Sequence, residues 1–107
     1  MEHSFCFEAG HFVHGTSGAC CFPHGHSFVL ILKRSGQDLQ ADCDSFVAIV
    51  QQMIETTFHH KWLNDTLNTN QPDLDYIADW IKNYLKAKVS TLSEVILYNS
   101  LDHFIKK

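Results

Sequence analysis

The sequence predicts an α+β domain in which an antiparallel sheet is covered on one face by helices. Four observations carry that expectation. Residues 4–13 place Phe5, Phe7, Ala9 and Val13 on one parity, and residues 27–32 are a β-prone run. Residues 46–58 and 74–85 repeat apolar side chains at three- and four-residue steps, and residues 92–99 alternate.

The first strand is expected from Ser4 to Val13, with Phe5, Phe7, Ala9, His11 and Val13 on one parity and Cys6, Glu8, Gly10 and Phe12 on the other. His11 therefore shares a face with apolar residues. His14 to Pro23 is rich in Gly, Ser, Thr and Cys and reads as a loop. A second strand spans His24 to Arg34, and Ser35-Gly36-Gln37-Asp38 closes it as a turn. Leu39 to Asp42 reads as a short return strand pairing through that hairpin.

Asp44 or Ser45 can cap the first helix, whose apolar stripe is Phe46, Ile49, Val50, Met53, Ile54 and Phe58. His59 to Gln71 is polar apart from Trp62, Leu63 and Leu67 and reads as an ordered connection. A second helix opens at Pro72, with Asp73 and Asp75 beside the positive end of its dipole and Lys82, Lys86 and Lys88 near the negative end. Leu74, Ile77, Ala78, Ile81 and Leu85 form its buried stripe. Leu92 to Asn99 is the closing strand, with Val95, Leu97 and Asn99 on one face and Glu94, Ile96 and Tyr98 on the other.

The totals narrow the class. A chain of 107 residues supports one domain, taken as 1–107, with a small but sufficient core. Apolar runs such as Phe28 to Leu32 fall far short of the ~18 residues that cross a bilayer, so no membrane association is expected. No basic segment precedes an apolar one at the N-terminus, and a cytoplasmic location is the expectation. A formal net charge of -4 argues against nucleic acid, which requires a basic face. The four cysteines match no secreted disulfide scaffold, and Cys20 and Cys21 are adjacent, so reduced thiols are expected.

The chemistry concentrates in histidine. There are eight histidines, five of them before residue 27. His24-Gly25-His26 sets two imidazoles on one face of a strand, their Cα atoms roughly 6.5 to 7 Å apart. His11 on an adjacent strand would complete a three-nitrogen site with one position left open, as in catalytic zinc centres. Imidazole also suits copper, nickel or iron, and zinc is chosen for its abundance in such sites. The same spacing equally describes histidines that are ordinary hydrogen-bonded sheet residues. Cys20, four residues before His24, is either a thiolate near a metal or a small buried hydrophobe, with Cys21 competing for the role. His59 and His60 offer acid–base chemistry near neutrality, or simply stabilise the negative end of a helix.

Taken in order, Phe7-Glu8-Ala9-Gly10-His11, Cys20-Cys21-Phe22-Pro23-His24-Gly25-His26, His60-Lys61-Trp62-Leu63-Asn64 and Pro72 through Ala78 resemble the 6-pyruvoyltetrahydropterin synthase and 6-carboxytetrahydropterin synthase family. The resemblance covers about Phe5 to Ser100, and the joint order and spacing of these short motifs make it specific. It implies the tunnelling fold (T-fold), a four-stranded antiparallel sheet with two helices on one side, whose protomers join edge to edge into a homo-oligomeric barrel, a trimer or a hexamer of stacked rings. It also implies that His11, His24 and His26 hold zinc, which binds the substrate side-chain oxygens and acidifies neighbouring C–H and O–H groups. Cys20 is then the proton-transferring base, and His60 relays protons from the opposite side. The implied substrate is 7,8-dihydroneopterin triphosphate, converted to a pyruvoyl or a carboxy pterin.

Two departures bear on the reaction. His59 stands where the family has the aspartate that orients the relay histidine. At the family's terminal Glu-Thr this chain has Asn99-Ser100, which keeps a hydroxyl but exchanges a two-acceptor carboxylate for an amide. A pterin edge presents two adjacent N–H donors, so one would be unpaired there, at a cost of roughly 1 to 3 kcal/mol, or ~10- to 100-fold in affinity. Ser45-Phe46 and Pro72-Asp73-Leu74-Asp75 also differ from the family's usual helix openings. The leading expectation is a zinc-dependent lyase acting on dihydroneopterin triphosphate or a relative. Against it stand a non-catalytic zinc-containing binding module of the same fold, an enzyme of altered specificity, and a structural protein with incidental histidines.

Overall fold

A computed structural model describes the backbone of residues 1–11, 24–36, 42–70, 72–100 and 103–107, and the side chains of these apart from residues 11, 24–26 and 100. Strands β1 (Glu2–His11), β2 (His24–Arg34), β3 (Leu92–Ser100) and β4 (His103–Lys106) form one antiparallel sheet in the order β1-β2-β3-β4. Helices α1 (Cys43–Met53), α2 (Leu63–Thr66) and α3 (Leu74–Lys86) lie between β2 and β3 in the chain. The α+β expectation of a four-stranded antiparallel sheet with helices is met.

Strand parity decides which face is buried. Phe7 and Ala9 on β1, Phe28, Leu30 and Leu32 on β2, and Val95 and Leu97 on β3 are core residues. They meet Phe46, Val50 and Met53 of α1 and Leu74, Ile77, Ala78, Ile81 and Leu85 of α3 in one cluster. Phe7 stacks on Phe28 with centroids 5.0 Å apart and tilts against Phe58 at 5.1 Å. Phe58 in turn meets the edge of Trp80 at 5.4 Å. Arg34 continues the inward row of β2 and is only 3% exposed. Its guanidinium lies 4.5 Å over the Phe46 ring while its Nε donates to Thr91 Oγ1 at 3.1 Å, so its charge is partnered inside the fold.

Several boundaries differ from the sequence reading, each for a local reason. β1 begins at Glu2, because Glu2 and His3 pair with Lys33 and Leu32. Neither Asp44 nor Ser45 caps α1. The helix starts at Cys43 with Asp42 at the cap position, where no side-chain cap bond forms, and Asp44 lies in its first turn. Pro72 precedes α3. Its cap is Asp73, whose Oδ1 accepts from Tyr76 N at 2.8 Å and satisfies one of the helix's orphan donors. The connection after His59 contains the short α2, which buries Leu63.

The fourth strand is β4. The return strand expected at Leu39 to Asp42 lies outside the described residues except for Asp42. β4 is held by pairing with β3, by Ile105 packed on the core, and by Lys107, whose Nζ lies 2.6 Å from Asp75 Oδ1 and 3.5 Å from Asp79 Oδ1 on α3. The face of the sheet away from the helices carries Val29, 36% exposed, and Phe104, 48% exposed, with Phe104 tilted against Tyr98 at 4.9 Å. Among the described residues no helix is long and apolar enough to cross a membrane.

Candidate active site

Antiparallel register gathers the expected site positions at one end of the sheet. His11 is the backbone partner of His24, Ala9 of His26 and Glu8 of Ser27. His11 and His24 thus stand opposite each other, with His26 two residues farther along β2. Neighbouring strands are ~4.8 Å apart, so these backbone positions suit three imidazoles converging on one ion. The side chains of His11, His24 and His26 lie outside the described residues, as does all of Cys20. Among the described residues no group of three or more His, Cys, Asp or Glu side chains is placed to hold a metal.

The histidine pair is positioned by a change in helix type. α1 runs into a π-helical turn, Ile54–Phe58, in which His59 N donates to Ile54 O at 2.7 Å, five residues back. The wider turn keeps Phe58 fully buried and ends with His59 in an extended conformation. His60 then adopts φ 57, a left-handed backbone unusual for a residue with a Cβ. The reversal lays residues 59–62 along the outer edge of β1. His60 N donates to Glu8 O at 2.6 Å, Gly10 N donates to Lys61 O at 3.0 Å, and Gly10 forms a parallel bridge with Trp62. This segment covers part of an edge that would otherwise present unpaired backbone groups.

Side chains complete the cluster. The His59 and His60 rings stack with centroids 3.8 Å apart. His59 Nδ1 accepts from Glu8 N at 3.3 Å. His60 Nε2 lies 3.7 Å from Glu8 Oε2, and Glu8 Oε1 accepts from Ser27 Oγ at 3.2 Å. An open cavity of about 530 Å³ is bordered by Glu8, Gly10, Ser27, His60 and Trp62, a volume suited to a small heterocycle. Glu8 and Ser27 were not among the residues marked by the sequence. The available signal was the parity of Glu8, which alternates with Phe7 and Ala9.

Asn99 sits at an irregularity. Tyr98 pairs with Phe104 and Ser100 with His103, so two steps along β3 match one along β4 and Asn99 is the extra residue of a bulge. Bulges re-aim side chains, and Asn99 is half-buried at the end of β3 that borders the start of β2. The side chain of Ser100 lies outside the described residues. His59 and His60 stand outside the outer edge of β1 and Asn99 on β3, with β1 and β2 between them, a separation of about three strand spacings, or ~14 Å.

The fold has known counterparts. Residues 1–106 match the family model described as 6-pyruvoyl tetrahydropterin synthase. A 6-carboxy-5,6,7,8-tetrahydropterin synthase from Synechocystis sp. is 33% identical over 86 residues, covering 72% of this chain and 67% of that protein. The structure of Caenorhabditis elegans 6-pyruvoyl tetrahydropterin synthase superposes with a TM-score of 0.80 at 22% identity, over 100% of this chain and 92% of the other. An uncharacterised protein of Wolinella succinogenes superposes with a TM-score of 0.81 at 12% identity, over 100% and 96% of the two chains. At those identities the two structures speak for the fold.

Proposed function

Because the chain belongs to the 6-pyruvoyl tetrahydropterin synthase family, we propose that it is a cytoplasmic zinc-dependent lyase acting on dihydroneopterin triphosphate or a closely related pterin. The observation that carries this reading is the register that sets His11 opposite His24, with His26 two residues on, at the same end of the sheet as Glu8 and His60. Three neutral imidazoles are a fitting donor set for zinc with an open position. When bound, the ion would polarise the oxygens of the substrate side chain and make the adjacent C–H and O–H groups more acidic. Cys20 is the base that removes a proton, and His60 carries protons on the other side of the substrate. Asn99 and Ser100 meet the pterin edge.

A homo-oligomer belongs to the same proposal. The apolar patch of Val29, Tyr98 and Phe104 favours a sheet face enclosed by protomers joined edge to edge. The direct test is to incubate the purified protein with dihydroneopterin triphosphate and follow pterin products by fluorescence-detected chromatography. Wild type is expected to turn over slowly, and Cys20→Ala to abolish that turnover. Equal activity in the two proteins removes the base assignment.

The substitution at position 99 sets a second expectation. An amide opposite two pterin N–H donors leaves one unpaired, so Asn99→Glu is expected to tighten pterin binding about 10- to 100-fold, measured by fluorescence titration. Unchanged or weaker binding by the variant rules out Asn99 as the anchor. His59 and Asn99 also favour a second reading, a zinc-containing module of this fold that binds a small molecule without chemistry. It predicts pterin or related ligand binding with no product from either wild type or Cys20→Ala.

A further inference from the structure

We infer that Glu8 is the positioning residue for His60, supplying from β1 the carboxylate that position 59 lacks. This rests on the reading of His60 as a proton-transferring residue in the proposed reaction. Glu8 touches the histidine pair through three different groups. Its N–H donates to His59 Nδ1 at 3.3 Å, its carbonyl accepts from His60 N at 2.6 Å, and its Oε2 stands 3.7 Å from His60 Nε2. The other carboxylate oxygen accepts from Ser27 Oγ at 3.2 Å, and Ser27 is the cross-strand partner of Glu8, so the carboxylate is braced from the neighbouring strand.

The chemical consequence is a choice of tautomer. A carboxylate facing Nε2 favours the ring form with its proton on that nitrogen and leaves Nδ1 with the lone pair that exchanges a proton with substrate. A separation of 3.7 Å is an ion-pair distance rather than a hydrogen bond, and such contacts commonly tighten when substrate closes the site. The two side chains are 68% and 64% exposed, so the pair adds little to folding stability. Its effect is on orientation, which also explains how His59 replaces an aspartate: it accepts from the Glu8 N–H and stacks on His60 without supplying charge.

Two measurements test this. In steady-state turnover of dihydroneopterin triphosphate, Glu8→Ala is expected to lower kcat about 10- to 100-fold with little change in KM, and to have no further effect in a His60→Ala background. In nitrogen-15 NMR of the histidine rings, wild type is expected to show His60 protonated at Nε2. Glu8→Ala, and more mildly Ser27→Ala, would give a mixture of tautomers. An unchanged ring signature, or a Glu8 effect that persists in full without His60, overturns the inference. If the protein produces nothing from the pterin, the substrate reading fails while the ring signature still decides the role of Glu8.

Discussion

His24→Ala is expected to leave the protein without zinc and to lower turnover at least about 10³-fold, since a metal that supplies several kcal/mol of charge stabilisation cannot be held by two imidazoles alone. His24 stands directly opposite His11, with His26 two residues along the same strand. The measurement is elemental analysis of protein purified without a histidine tag, paired with the turnover assay. Near-stoichiometric zinc in wild type and its loss in the variant are the expected results. Zinc retained in full by the variant would exclude His24 as a ligand, and wild type without metal would exclude the centre itself. Circular dichroism of the variant should match wild type, because β2 is paired with β1 along its length and with β3 from Val29 onward.

The second large effect concerns the core beneath the site. Phe7 is 1% exposed, stacked on Phe28 and tilted against Phe58, so Phe7→Ala removes a ring at the junction of β1, β2 and the π-helical turn. A cavity of that kind costs about 3 to 5 kcal/mol against a total stability of about 5 to 15 kcal/mol. Chemical denaturation at fixed protein concentration should show the loss as a lower midpoint with an unchanged slope. A loss below about 1.5 kcal/mol would mean that the neighbouring rings collapse into the space. The damage should reach the chemistry too, because Phe7 precedes Glu8 and Phe58 precedes His59 in the chain. Both sides of the histidine cluster hang from this one aromatic contact.

What was legible in the sequence is what burial writes into it locally. The alternation of Phe5, Phe7 and Ala9 and the stripes of α1 and α3 follow directly from one buried face, and those elements stand where expected. β4 escaped because His103-Phe104-Ile105-Lys106 is too short and too polar to show a period, and its pairing is dictated by β3. The π-helical turn escaped because an i to i−5 bond answers a tertiary demand, keeping Phe58 in the core while turning His59 toward β1. Glu8 carried no signal beyond its strand parity, since its contact with His59 joins positions 51 residues apart. The candidate metal positions lay between these cases. The spacing of His24 and His26 was visible, whereas the pairing of His11 with His24 is a fact of register.

The left-handed backbone of His60 sets folding and chemistry against each other at a single position. A side chain with a Cβ held at φ 57 costs on the order of 1 kcal/mol, which glycine would not incur. The most stabilising replacement at position 60 is therefore the one that deletes the imidazole. A search for thermostable variants that scores only folding would select glycine there and discard the imidazole. Libraries built on this scaffold should hold position 60 fixed and seek their stability elsewhere.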